Sequence, residues 1–132
     1  MWSISWDSTN EAKIDYQNEV IELIERINEE YKQTEPVIVQ IESMSHKLFC
    51  IGVGCIEELS CLDFFPTPDG LGSMHPISKG EEKSDRSIVF WLDSYDSEWE
   101  VDSLIPYKDA ISELSYFLKH DDVSTNYIWE LD

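Results

Sequence analysis

The sequence predicts one α+β domain, an antiparallel β-sheet with two α-helices packed on it in the order β-α-β-β-β-β-β-α-β. Three observations predict it: two stretches repeat apolar residues at helical intervals, several shorter ones are β-branched or alternating, and the strands follow one another too closely for parallel crossovers. A length of 132 residues, with 42% apolar and 12% aromatic side chains, suits a single domain with its own core and excludes intrinsic disorder.

Trp2, Ile4 and Trp6 alternate with Ser3 and Ser5, the period of a short half-buried strand. Ser8-Thr9-Asn10-Glu11 has the spacing of a capping box, and Tyr16, Val20, Leu23, Ile24, Ile27 and Tyr31 then recur at helical intervals. A helix of about six turns is expected, with an outer face rich in Glu. Pro36 closes it and opens the β-branched strand Val37 to Ile41. Ser43 to Ser45 turn the chain into Lys47 to Val53, and Leu59 to Phe65 follows, so these three segments form an antiparallel meander.

Pro66 to Lys83 holds three of the five prolines and three of the five glycines without apolar periodicity, which predicts a long loop of the kind that often carries function. Arg86 to Leu92 and Glu98 to Asp102 read as a hairpin connected by Ser94 to Ser97. Pro106 opens a second helix, with Tyr107, Ala110, Ile111, Leu114, Phe117 and Leu118 on one face. Asp121-Asp122 ends it, and Tyr127 to Leu131 supplies a last strand.

Little in the chain points to catalysis or to a metal. Cys50, Cys55 and Cys61, with His46 or His75, could give four ligands, but their gaps lack paired C-x-x-C knuckles, so they read as reduced thiols packed in the core. No nucleophile motif frames a Ser or Cys, and His46, His75 and His120 sit in polar, turn-like contexts where a solvated ring is expected. Gly52-Val53-Gly54 lacks the third glycine of a dinucleotide loop. Asp93, Asp96, Glu98, Glu100 and Asp102 miss the spacing of a calcium loop. The expectation is a protein without catalytic residues, metal or cofactor. With no basic-then-apolar leader and no apolar run near 18 residues, a cytoplasmic protein with no membrane partner is expected.

Charge is the informative quantity. Nine Lys plus Arg stand against 28 Asp plus Glu, a net charge of −19, which disfavours nucleic acid and anionic membranes and favours a basic partner. From Asp7 to Lys32 there are eight acids and three bases, an ordinary solvated helix face. Glu81 to Asp102 is denser, with eight acids against two bases in 22 residues. Facing carboxylates repel in a sheet and Asp is disfavoured in strands, so this accumulation signals use. The candidate contact residues are Asp69, His75, Glu81, Glu82, Asp85, Asp93, Tyr95, Asp96, Glu98, Glu100 and Asp102, with Trp91 and Trp99 assigned to the core.

Phe64-Phe65-Pro66, Ser78-Lys79-Gly80, the strand Ser87 to Phe90 leading into an acidic hairpin, Leu104-Ile105-Pro106 with Ala110 and Phe117, and a closing Ile128-Trp129 occur in that order. The combination resembles the Imm-one type immunity proteins of bacterial polymorphic toxin systems, over roughly Leu59 to Glu130. The hairpin connection departs from that pattern in having no glycine. The resemblance implies a small bacterial cytoplasmic protein that binds and neutralises one cognate toxin domain, in several members a nucleic-acid deaminase. The candidate residues would then occlude a basic toxin active site. The rival classes are a small hydrolase or metal-dependent enzyme and a general acidic nucleic-acid mimic.

Overall fold

Residues 1–78 and 85–132 are described in the computed structural model. The alternation of Trp2, Ile4 and Trp6 with serines forms β1 (Trp2–Trp6). A second alternation, Ala12 and Ile14 against Glu11 and Lys13, forms β2 (Asn10–Ile14), antiparallel to β1 from Trp2 opposite Ile14 to Trp6 opposite Asn10. The expected capping box is therefore not a helix start. Pairing with β1 lets Ala12 and Ile14 pack on the same core as Ile4, and that tertiary gain outweighs the local capping signal.

Helix α1 (Gln17–Tyr31) is accordingly 15 residues long, about 22 Å, and Tyr16 at its N-cap makes no side-chain capping bond. Val20, Leu23, Ile24 and Ile27 form its buried stripe, and Asn28 is buried beside them. Asn28 Oδ1 accepts the backbone N–H of Gly54 at 2.7 Å, tying the helix to the sheet.

Strands β3 (Val37–Glu42) and β4 (Leu48–Val53) pair antiparallel along their whole length. The segment expected as one further strand is broken into β5 (Leu59–Ser60) and β6 (Leu62–Phe65), of which β6 continues the meander beside β4. The expected long loop contains β7 (Met74–Pro76), antiparallel to β6 at Phe64 opposite Met74. The three-residue length of β7 leaves no room for a readable alternation.

The acidic hairpin is β8 (Ser87–Leu92) and β9 (Tyr95–Glu100), joined by Asp93-Ser94 alone. Asp93 makes this short turn possible by adopting φ 55°, a left-handed conformation Asp tolerates better than most residues. Tyr95, Asp96 and Ser97 belong to β9 rather than to a connection, while Asp102 lies in a 3-10 turn, Val101–Ser103. Short β10 (Ile105–Pro106) pairs with β5, α2 (Tyr107–His120) follows, and β11 (Trp129–Leu131) lies antiparallel to β7. The last strand begins two residues later than expected. The sheet order is β11-β7-β6-β4-β3-β1-β2, with β8 touching β3 through one parallel pair, Val37 opposite Trp91.

The main sheet buries two faces differently. Val37, Val39 and Ile41 of β3, with Phe49, Ile51 and Val53 of β4, face the helices, where Phe117 of α2 stacks on Phe49 at 5.2 Å and meets Phe64 edge-on at 5.9 Å. The opposite face holds a second cluster of Ile38, Cys50, Cys55, Cys61, Phe90 and Leu104. Phe90 brings the hairpin down onto this face. A Cβ on Gly52 would stand 2.6 Å from the Phe90 ring and 2.5 Å from Cys61 Sγ, so only glycine permits the approach. All three cysteines are free and buried, and burial pushes the Cys50 thiol up to about 12 and Cys61 well above its ordinary value. Among the described residues no helix is long and apolar enough to cross a membrane.

Candidate functional site

Because side chains alternate along β9, Asp96, Glu98 and Glu100 share one face, spaced about 7 Å apart. All three are exposed. Opposite them on β8 stand Trp91, Val89 and Ser87, which must point the same way. Phe90 points the other way, into the second core, and carries Ile88, Leu92 and Trp99 with it. Trp99 thus packs against a core as expected, with its indole N–H donating to Ser97 Oγ at 2.9 Å. Trp91 does not: it is half-buried on the acidic face, with its backbone N–H bonded to the Pro36 carbonyl at 2.9 Å.

Trp91 also joins this acidic strip to a set of adjoining hollows. The first, of about 480 Å³, lies between Trp91, Tyr31, Pro36 and the acids Asp7, Glu35 and Asp93. A second, about 280 Å³, shares Asp7 and Asp93 with it and extends past Glu11 and Gln40. A third, about 250 Å³, shares Glu11 and Gln40 with the second and reaches Glu42. Together they run over the open part of the sheet, where Ser3 and Ser5 of β1 leave the helix-free face uncovered. Five carboxylates line this path, and no Lys, Arg or His does among the described residues. The hollow between α1 and β2 is different, for there Arg26 stands among Glu19, Glu22 and Glu30. Among the described residues the five acids of this path thus stand without a basic side chain in its lining, Glu42 alone having His46 Nδ1 at 3.6 Å from its carboxylate.

The candidate residues divide accordingly. Asp93, Asp96, Glu98 and Glu100 are brought together, and Tyr95, 74% exposed, stands at the hairpin tip on the opposite side from Asp96. Asp85 is exposed just before β8, and Asp102 is half-buried in its 3-10 turn, so it does not continue the alternation of Glu98 and Glu100. Glu81 and Glu82 lie outside the described residues. Asp69 caps a tight turn, its carboxylate accepting the Thr67 hydroxyl and the Leu71 N–H, and these bonds hold its pKa below the usual carboxylate value.

His75 is not a solvated turn residue. It lies half-buried on β7, and its Nδ1 meets Asp132 Oδ1 at 2.5 Å. Asp132 in turn lies against Asp63 of β6; burial, then the neighbouring Asp132, pushes the Asp63 carboxyl up to about 8. This group fastens β11 to the sheet instead of joining the hairpin acids. The residues missed in the sequence are Asp7, Glu11, Tyr31, Glu35, Glu42 and Trp91. Reading Asn10 to Ile14 as a strand would have placed Asp7 in a hairpin turn rather than ahead of a helix.

Comparison with known protein families finds no matching family model, and comparison with curated proteins finds no match.

Proposed function

We propose that this chain is an immunity protein of the Imm-one type, which binds a cognate toxin domain acting on nucleic acid and neutralises it by covering its basic active site. The observation that carries the reading is the continuous acidic face from Glu100, Glu98 and Asp96 through Trp91 to Asp93, Asp7 and Glu35. An enzyme that works on DNA or RNA holds its substrate in a cationic channel. An acidic surface is steered to that channel by long-range attraction and, once docked, keeps the substrate out. No chemical step by the inhibitor is required. Trp91, half-buried on this face, adds aromatic contact area, the kind of side chain that dominates interface energetics.

The test uses the toxin domain encoded by the open reading frame beside this gene. Its association with the intact chain is followed by stopped flow between low and high salt, for the native protein and for the triple variant Asp96→Lys, Glu98→Lys, Glu100→Lys. The on-rate is expected to fall steeply with salt and to drop at least about tenfold in the variant. A salt-independent on-rate together with native-level protection of cells by the variant overturns the occlusion mechanism. Binding of several unrelated basic proteins with equal affinity would instead indicate a general nucleic-acid mimic.

A further inference from the structure

At one end of the acidic face the turns carrying Asp7 and Asp93 meet the segment between α1 and β3, and together they line the open 480 Å³ hollow. Its chemistry differs from that of the strip along β9. Trp91 and Tyr31 give it aromatic walls, Pro36 an apolar one, and Asp7, Glu35 and Asp93 three carboxylates with no cation to balance them among the described residues. The Tyr31 hydroxyl donates to Asp7 Oδ2 at 3.1 Å. Burial first, and then this carboxylate, push the Tyr31 pKa up to about 12, so the hydroxyl stays a donor and fixes the direction of Asp7.

We propose that this hollow receives one arginine side chain of the basic partner, its guanidinium lying against Trp91 and paired with the carboxylates of Asp7, Glu35 and Asp93. The inference rests on the immunity reading for the identity of the partner and on the hollow alone for the chemistry. Anions are repelled by the three carboxylates, and a purely apolar group would strip water from them without compensation. A guanidinium satisfies both kinds of wall. It is planar and weakly hydrated, stacks on an indole face, and presents a fork of N–H donors that matches carboxylates. An ammonium group offers the charge without the stacking plane, so arginine is preferred over lysine.

The probe is N-acetyl-arginine methylamide, titrated into the ¹⁵N-labelled full chain, with N-acetyl-lysine methylamide as the comparison. The Trp91 indole N–H resonance, identified by its loss in Trp91→Phe, and the Thr34 and Asp93 amides should move saturably, with a dissociation constant on the order of 10 mM. The arginine analogue should bind at least about threefold more tightly than the lysine analogue. Asp93→Asn, which keeps a residue tolerant of positive φ, and Glu35→Gln should each weaken it about threefold or more. Shifts that do not saturate, that are equal for the two cations, or that centre on Asp96 to Glu100 overturn the proposal. If charge reversal on β9 abolishes toxin association while the hollow ignores the guanidinium, the hollow loses its role and the immunity reading stands. The reverse pattern keeps the hollow as an arginine site and removes the toxin.

Discussion

Gly52→Ala tests how the acidic hairpin is held against the sheet. Gly52 lies in β4 opposite Ile38 of β3, and its N–H donates to the Cys61 carbonyl at 2.8 Å. Its φ is not in the left-handed region, so the prediction is one of space alone. An added Cβ would stand 2.5 Å from Cys61 Sγ and 2.6 and 2.7 Å from two carbons of the Phe90 ring. Ordinary carbon contacts lie near 3.5–4.0 Å, so the ring must retreat by about 1 Å. Phe90 and Cys61 are both buried, so either must displace other packed atoms to make room. Overpacking of this kind costs about 1–3 kcal/mol, offset in part by the lower entropy of the unfolded chain without glycine. With a urea slope of about 1–3 kcal/mol per molar, the unfolding midpoint should fall by roughly 1 M. Phe90→Leu costs stability in the native background, but in the Gly52→Ala background it should restore part of the loss, giving a coupling of about 0.5–3 kcal/mol in the double-mutant cycle. An unchanged midpoint, or strictly additive effects, would refute the packing of Phe90 over Gly52.

Three further outcomes are expected. Burial and Asp132 keep the Asp63 proton on to about pH 8, whereas the unfolded carboxyl releases it near 4, so the folded state binds more protons across that window and Asp63 lowers stability as pH rises through it. Asp63→Asn should flatten that fall, gaining most over the native chain at pH 8 and little at pH 4, with a slope below about 1.4 kcal/mol per pH unit because the group is partly solvated; parallel thermal-unfolding profiles would contradict this. Asn28→Leu deprives the buried Gly54 N–H of its acceptor, and should cost about 1–3 kcal/mol and remove hydrogen-exchange protection at that amide. Glu113 is 2% exposed and takes the Ser124 hydroxyl at 2.6 and 2.7 Å, so Ser124→Ala should cost at least about 1–3 kcal/mol in chemical denaturation.

The fold class was legible because the strongest signals were the longest. The stripe Val20, Leu23, Ile24, Ile27 and the stripe Ala110, Leu114, Phe117, Leu118 are buried as their period requires, and the meander of β3, β4 and β6 is antiparallel. What failed was short or depended on partners. Ser8 to Glu11 carries a helix-start motif, yet Asn10 to Ile14 pairs with β1, because the packing of Ala12 and Ile14 on the core exists only once the distant partners Trp2, Ile4 and Trp6 are in place. β7 is held by β6 and β11, which no local pattern announces. The acids of β9 were visible as a density of charge, and the alternation expected for Glu98, Glu100 and Asp102 holds for the first two but not for Asp102, which the 3-10 turn removes from the strand. Trp91 could not be assigned the same way, since its face is set by Phe90 entering a core made by distant strands. Asp7 and Glu35 gained their importance only when two turns and one inter-element segment met in space.

The most direct measurement of the proposed function takes the toxin domain that the proposal expects to be encoded beside this chain and titrates its activity on nucleic acid with increasing amounts of the chain. Activity should fall in proportion to the chain added and vanish at a fixed molar ratio, with the Asp96→Lys, Glu98→Lys, Glu100→Lys protein needing a larger excess to inhibit. Progressive loss of toxin activity at amounts far below that ratio, or full activity in its excess, would contradict an inhibitor that acts by covering a basic site.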